Sequence, residues 1–362
     1  MRRITGLGVL ALALAALSFA AIASAGSPKS AGHLKHVFVI VLENHSKNSV
    51  IGDPNAPYIT SLASKYAVAA NYYGVTHPSE PNYVAMIAGD NFGLNADDPS
   101  QRFDARNLVD QLQATGHTWD AYEESLPSVG YTGDYWPSSS NALYASKHDP
   151  FVLFDDIRNN PARLAHVKPY TSLASDLNGK SAPDFAFIVP NQCHDMHGGV
   201  YTPVAADGSD GSPCPYGDTN DDPNDAALKQ KADAFVKQAV HTIMTSKAWS
   251  GNSAIFVIAD ESDYNGDTET GGWADASGCC DSPVLPAGDP AVSPSWPGGV
   301  YGGGLSPAIV ITTHGPRHYV SKTPYNHYSL LTTIEQNWHL GYLGHAGDTA
   351  GGVRPMNDLL GK

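Results

Sequence analysis

Val37-Phe38-Val39-Ile40-Val41-Leu42, followed at once by Glu43-Asn44, is the stretch on which the fold turns. Uninterrupted apolar character over a strand-length run, rather than alternation, marks a parallel strand covered on both faces. Three further runs read the same way: Phe185 to Val189 before Asn191 and His194, Ile255 to Ala259 before Asp260-Glu261, and Ile309 to Thr313 before His314. In open α/β sheets ligands sit just beyond the carboxyl ends of such strands. Carboxylates, amides and imidazoles at four strand ends are therefore expected to meet in one crevice. Strands often end in polar residues because loops are wet, so each ending alone has a bland reading and the weight rests on the four together.

Outward from these runs, strands and amphipathic segments alternate. The pattern predicts helices near 55–67, 81–88, 104–115, 170–178 and 226–247, and further strands near 68–75 and 117–122. Alternation of this kind predicts an α/β fold, a mostly parallel sheet with helices on both faces. Residues 199–225 and 262–306 are rich in Gly, Asp, Pro and Ser and read as long loops. Asp207, Asp210, Asp218, Asp221 and Asp222 miss the spacing of an EF-hand and read as a solvated loop.

The chain has 362 residues. Met1-Arg2-Arg3, an apolar stretch from Leu7 to Ala23 and the triplet Ala23-Ser24-Ala25 read as a secretory signal, residues 1–25, leaving 26–362 as one domain. Removing the two leader arginines takes the formal charge from −15 to −17, with 19 basic against 36 acidic residues. Such a surface repels nucleic acid and anionic membranes and retains cations; neither a nucleic-acid partner nor a stable membrane anchor is expected. Cys193, Cys214, Cys279 and Cys280 are an even set in an exported chain and predict two disulfides among three connectivities. Adjacent cysteines rarely bond each other, so Cys279 and Cys280 are each expected to pair with one of the other two.

The block Thr76-His77-Pro78-Ser79-Glu80-Pro81-Asn82-Tyr83-Val84-Ala85-Met86-Ile87-Ala88-Gly89 opens a helix at a hydroxyl residue and stops it at a glycine. Ser79 is either an ordinary N-cap or a nucleophile at the positive end of the helix, where an anion is stabilised. Asn82, one turn on, is placed to donate to a phosphoryl oxygen. Thr76 is the rival nucleophile.

Val39-Ile40-Val41-Leu42-Glu43-Asn44-His45-Ser46, the Thr76 to Gly89 block, Ile258-Ala259-Asp260-Glu261 and Tyr325-Asn326-His327-Tyr328-Ser329-Leu330-Leu331 together resemble the bacterial phosphoesterase family that contains secreted acid phosphatases and phosphatidylcholine-type phospholipases C. Trp119-Asp120-Ala121-Tyr122-Glu123-Glu124 and Lys147-His148-Asp149-Pro150-Phe151 are smaller echoes. The resemblance implies an alkaline-phosphatase-like three-layer αβα sandwich with a metal at the carboxyl edge of the sheet. It makes Glu43, Asn44, Asp260 and Glu261 metal ligands, with Ser79 as both ligand and nucleophile, and it assigns a phosphate contact to Asn82. These oxygen donors suit a divalent ion such as calcium, magnesium or manganese better than zinc. His194, His197 and His327 either ligate a second, zinc-like ion or touch the phosphate and protonate the leaving alkoxide; the resemblance favours the latter. Asp195 and His314 are read as outer members of the site, and Lys147-His148 as a solvated pair.

The reading that follows is a secreted, metal-dependent phosphoesterase, an acid phosphatase acting on phosphomonoesters, with lipid-derived phosphoinositides among its substrates, through a phosphoserine. Titrating histidines would favour mildly acidic pH. The alternative is phospholipase C-type cleavage of phospholipids, against which stands a chain lacking the extra domains of the larger family members. A sulfatase motif requires arginine where Tyr83 stands. A non-catalytic binding protein is the reading from another class, disfavoured because carboxylates, hydroxyl, amide and imidazoles are all present.

Overall fold

Strand β1 (His36–Leu42) is buried along its whole length. Its residues divide between two cores: Val37, Val39 and Val41 face one, Phe38, Ile40 and Leu42 the other. Side chains alternate across a strand, so burial on both faces is the physical reason the run has no polar interruption. The computed structural model describes residue 1 and residues 33–204, 211–217, 223–263, 275–290 and 292–362. Residues 2–25 of the expected leader and the acidic run Asp207, Asp210, Asp218, Asp221 and Asp222 lie outside the described residues.

Around β1 the chain adds β2 (Ala67–Tyr73), β3 (Trp119–Glu123), β4 (Val167–Pro169), β5 (Phe185–Val189), β6 (Ser253–Ala259), β7 (Ala308–Thr312) and β8 (Tyr319–Asn326). They form one eight-stranded sheet in the order β8-β2-β7-β6-β1-β5-β3-β4. All neighbours are parallel except β7, which runs antiparallel to both β2 and β6. The sheet is flanked by α1 (Pro57–Lys65), α2 (Ser79–Ala88), α3 (Leu108–Ala114), α4 (Leu173–Asn178), α5 (Pro223–Thr245) and α6 (His327–Trp338). Helices α2, α3 and α6 contribute to the core with Val37, Val39 and Val41, and α1, α4 and α5 to the core on the other face. This is the expected α/β sandwich.

Two strands had no pattern to show them. Strand β4 has only three residues, and β8, at the sheet edge, is largely exposed and carries Lys322 and Pro324, the composition that protects an edge from further pairing. The antiparallel course of β7 corrects the reading of Ile309 to Thr313 as another strand ending at the crevice. Its exit lies at the opposite edge, where Thr313 N–H donates to the carbonyl of Ser253 at 3.1 Å, at the start of β6. His314 is therefore outside the site.

Two disulfides form as expected, but the expected pairing is overturned. Cys193 bonds Cys214 and Cys279 bonds Cys280. Cys193 and Cys214 pack together with Val200 and Leu228, whereas Cys280 packs with Val75, Ala85, Tyr328 and Val353. Tertiary packing separates the two pairs, and the turn at Cys279-Cys280, with φ of +57° at Cys280, brings the neighbours into bonding position.

Candidate active site

Register assembles the site. Leu42 of β1 lies opposite Ala259 of β6, so the residues that follow, Glu43 and Asp260, leave the sheet side by side. Asp260 N–H continues the ladder by donating to Leu42 O at 3.0 Å. Asp260 Oδ1 then accepts the N–H groups of Asn44 and Glu261 at 3.1 and 2.7 Å, tying both acidic turns together. Carboxylate oxygens of Glu43, Asp260 and Glu261 can all lie within 4.8 Å of one another, and all three residues are buried.

Helix α2 delivers Ser79 to this cluster. Pro78 is the N-cap and Ser79 the first helical residue, with no side-chain cap bond. Its Oγ donates instead towards Glu43 Oε2 at 2.9 Å and Glu261 Oε1 at 3.1 Å, so the bland N-cap reading fails. Thr76 directs its hydroxyl to the carbonyl of His77 at 3.3 Å. Asn82 is committed elsewhere than expected: Oδ1 accepts from Val75 and Thr76 N–H at 2.8 and 3.2 Å, and Nδ2 donates to Thr76 and Pro78 carbonyls at 2.7 and 3.0 Å. With its amide spent on the turn, Asn82 braces the approach to Ser79 and has no N–H left for a phosphoryl oxygen. The close packing of this turn needs glycine: a Cβ on Gly74 would sit 2.7 Å from the Asp260 carbonyl.

The histidines sort differently from the sequence reading. His327 uses both ring nitrogens on structure. Nε2 bonds the Asp260 carbonyl, which can only accept, so Nδ1 accepts the Tyr72 hydroxyl at 2.8 Å. It steadies the Asp260 backbone from behind. His194 turns away and pairs through Nδ1 with Glu124 at 2.9 Å, over Phe235. His197 stays near the site rim, with Nε2 3.5 Å from Lys147 Nζ and its ring edge-on to His148. The pair Lys147-His148, read as solvated, is packed inward: His148 is buried, 3.1 Å from Glu43 Oε1 through Nε2 and 3.7 Å from Asp195 Oδ2 through Nδ1. His77, which sequence reasoning passed over although it lies two residues before Ser79, pairs with Glu261 through Nδ1 and with the Asp275 carbonyl through Nε2 at 3.0 Å. Asp195 is buried, and its carbonyl accepts Glu43 N–H at 2.8 Å.

Burial dominates the electrostatics. It pushes the Glu43 carboxyl up to about 7, with Glu261 adding to the rise and Lys147 opposing it. Asp260 is raised well above the carboxylate range by burial and then by Glu43 and Glu261. Burial holds His148 well below the usual imidazole range, helped by Lys147, and takes His197 and His327 down to about 4. These three rings are therefore neutral at the mildly acidic pH for which titrating histidines were expected. For His77, burial works against the charge, but Glu261 overrides it and the ring is raised. Lys147 is likewise raised, against its burial, by Asp97 and Glu43. Positive charge beside the carboxylates thus comes from His77 and Lys147.

The donor set fits a divalent cation. Asp260 Oδ2 is buried without a hydrogen-bond partner and Glu43 Oε1 meets only His148 Nε2, at 3.1 Å, which is costly for clustered carboxylates unless a cation satisfies them. Clustered oxygen donors are the chemistry of calcium, magnesium and manganese. Asn44, with its amide 3.5 Å from the Tyr216 hydroxyl, and Ser79 stand beside the three carboxylates.

Known proteins share both sequence and fold with this chain. A probable acid phosphatase of Kluyveromyces lactis is 36% identical over 187 residues, covering 50% of this chain and 43% of the relative. An acid phosphatase of Aspergillus fumigatus is 37% identical over 163 residues, 44% of this chain and 36% of the relative. A phosphatidylinositol-3-phosphatase of Mycobacterium tuberculosis is 36% identical over 200 residues, 55% of this chain and 64% of the relative. The chain thus spans between about a third and two thirds of the length of these curated relatives. In fold it is similar to the phosphonate monoester hydrolase SpPMH from Silicibacter pomeroyi, with a TM-score of 0.51, 13% identity and coverage of 90% of this chain and 76% of that one. The lipoteichoic acid synthase LtaP from Listeria monocytogenes gives 0.50, 12%, 92% and 77%. These likenesses show a shared fold. Residues 53–209 and 214–341 match the phosphoesterase family model, and the chain belongs to the phosphoesterase family.

Proposed function

We propose that this protein is an exported, cation-dependent phosphomonoesterase of the acid phosphatase type, with Ser79 as nucleophile. The observation that carries the reading is the Ser79 hydroxyl, freed from capping and held between Glu43 Oε2 and Glu261 Oε1 at the start of a buried helix. Glu43, Asn44, Ser79, Asp260 and Glu261 would hold a divalent cation, which supplies Lewis-acid polarisation of the phosphoryl oxygens when bound. Ser79 Oγ passes its proton towards the carboxylate pair and attacks phosphorus in line, the ester alkoxide leaves, and water then cleaves the phosphoserine. The dipole of α2 and the charge on Lys147 stabilise the phosphate dianion. Asn82 holds the turn, His327 holds Asp260 and His77 orients Glu261. The leaving alkoxide takes its proton from water, which His197 and His148, neutral and close to Lys147, relay by accepting at one ring nitrogen and donating from the other. Export is supported by the leader pattern and the Cys193–Cys214 disulfide; among the described residues no helix is long and apolar enough to cross a membrane. The named relatives support phosphomonoesters as substrates, with phosphoinositide monophosphates among them.

The test is Ser79→Ala, assayed for release of inorganic phosphate from an aryl phosphate and from a phosphoinositide monophosphate. Turnover is expected to fall by several orders of magnitude with the circular dichroism spectrum and melting temperature retained. Undiminished turnover would remove Ser79 from the mechanism. Release of a phosphorylated head group in place of free phosphate would move the assignment to phosphodiester cleavage.

A further inference from the structure

His194 leads to a second cleft. Beyond the carboxyl ends of β3, β4 and β5, between α4 and α5, lies a cleft of about 770 Å³ lined by Glu124, His194, Tyr170, Phe235, Lys231 and Thr242 among others. That volume is within the range of small-molecule sites, and the carboxyl edge of an open sheet is where such sites form. The turn 191–197 stands between this cleft and the carboxylate cluster. Asp195 is buried on the cluster side, its carbonyl on Glu43 N–H, while the preceding His194 faces the cleft.

The cleft has a built recognition element. Glu124 is fixed by Asn191 N–H at 2.9 Å and accepts His194 Nδ1–H at 2.9 Å. Nε2 has no hydrogen bond among the described residues and is the ring nitrogen left for a ligand. Aromatic surface stands beside it: the half-buried Tyr170 ring packs on the buried Phe235 at 4.8 Å, and the half-buried His194 ring lies 6.1 Å from Phe235, by ring centroids. Lys231, which bonds the Ser212 hydroxyl at 2.9 Å, and Glu124 bring opposite charges to the lining, which therefore does not favour an anion. The half-buried Tyr170 and His194 rings, an imidazole nitrogen and the Thr242 hydroxyl together select a neutral ring compound that carries hydroxyl groups.

We propose that this cleft is a ligand site, distinct from the phosphate site, for neutral, hydroxyl-bearing ring compounds, the class to which many dephosphorylated products belong. Its occupancy does not depend on the catalytic reading. Adenosine, as a neutral probe with a stacking base and ribose hydroxyls, tests it by calorimetry with the full chain in the presence of saturating inorganic phosphate, which occupies the phosphate site. Saturable one-to-one binding is expected, weakened about tenfold by His194→Ala and by Tyr170→Leu, the loss of one good polar or stacking contact, and unchanged by Ser79→Ala. Absence of saturable binding, cleft variants that bind as tightly as the unaltered protein, or loss of binding when Ser79 is replaced overturns the proposal. Because the cleft variants are tested by binding and the serine variant by turnover, failure here is separable from failure of the phosphatase reading.

Discussion

At the scale of single residues, the site is a set of buried polar groups held by backbone. Asn82 illustrates it: four hydrogen bonds from one amide fix the turn from Val75 to Pro78 that aims Ser79. Asn82→Ala leaves two N–H groups and two carbonyls of that buried turn in need of partners, each costing on the order of 1 kcal/mol or more. We expect a stability loss of about 2–4 kcal/mol by that count, together with a fall in kcat, seen by denaturant unfolding and aryl phosphate turnover. Unchanged stability would show that the amide is dispensable to the turn. Glu43, Asn44, Ser79, Asp260 and Glu261 were nameable from motif types because each follows a strand or opens a helix. His77 and His148 were not, since no local pattern distinguishes a histidine folded against a carboxylate from one in water. His194 failed for the same reason: its neighbour Asp195 faces Glu43, and one residue along a turn reverses direction.

Elements carry the next level of control. Helix α5 reaches the end of β1 through Asp225, which pairs with His45 at 2.6 Å and with the buried Lys229 at 2.8 Å; Lys229 also meets Asp53 at 3.2 Å. His45 directly follows Asn44, so this chain of polar contacts anchors a proposed ligand loop from outside. Partners of this kind typically change metal affinity by about tenfold or more. Asp225→Asn is expected to weaken manganese binding by about tenfold in calorimetry well below the melting temperature, and unchanged affinity would confine the network to structure. Helix α6 offers a pH test. Burial raises the Glu335 carboxyl from 4.5 to about 8, against hydrogen bonds from Gln111 and the Leu343 N–H. The unfolded chain loses this proton near 4.5, the folded one only near 8, so the stabilising contribution is complete below 4.5 and declines as pH rises towards 8. Glu335→Gln, which mimics the neutral acid, should flatten the pH dependence of unfolding free energy in that window by about 1 kcal/mol per pH unit. A slope identical to that of the native sequence would mean Glu335 ionises normally.

For the whole molecule, the central cost is three buried carboxylates at the junction of β1, β6 and α2. Such a cluster stabilises the folded chain only when its charge is compensated, so cation binding and folding are linked. Chelation is expected to lower the melting temperature and abolish turnover, and manganese or magnesium to restore both; a melting temperature indifferent to chelator and added cation would refute the proposed cation site. Sequence by itself determined the α/β layering, because strands covered on both faces cannot carry polar residues, and it named Glu43, Asp260 and Glu261, whose carboxylates cluster, because strand ends share one edge of a parallel sheet. It also pointed to the family that the relatives bear out. Only the tertiary structure decided the rest. The antiparallel turn of β7 sent His314 to the far edge, packing kept the cysteine pairs apart, and burial drew Lys147 and His148 inward while leaving His194 to a different cleft. Strand direction, side-chain facing and desolvation arise from contacts between distant segments, and no window of the chain contains them.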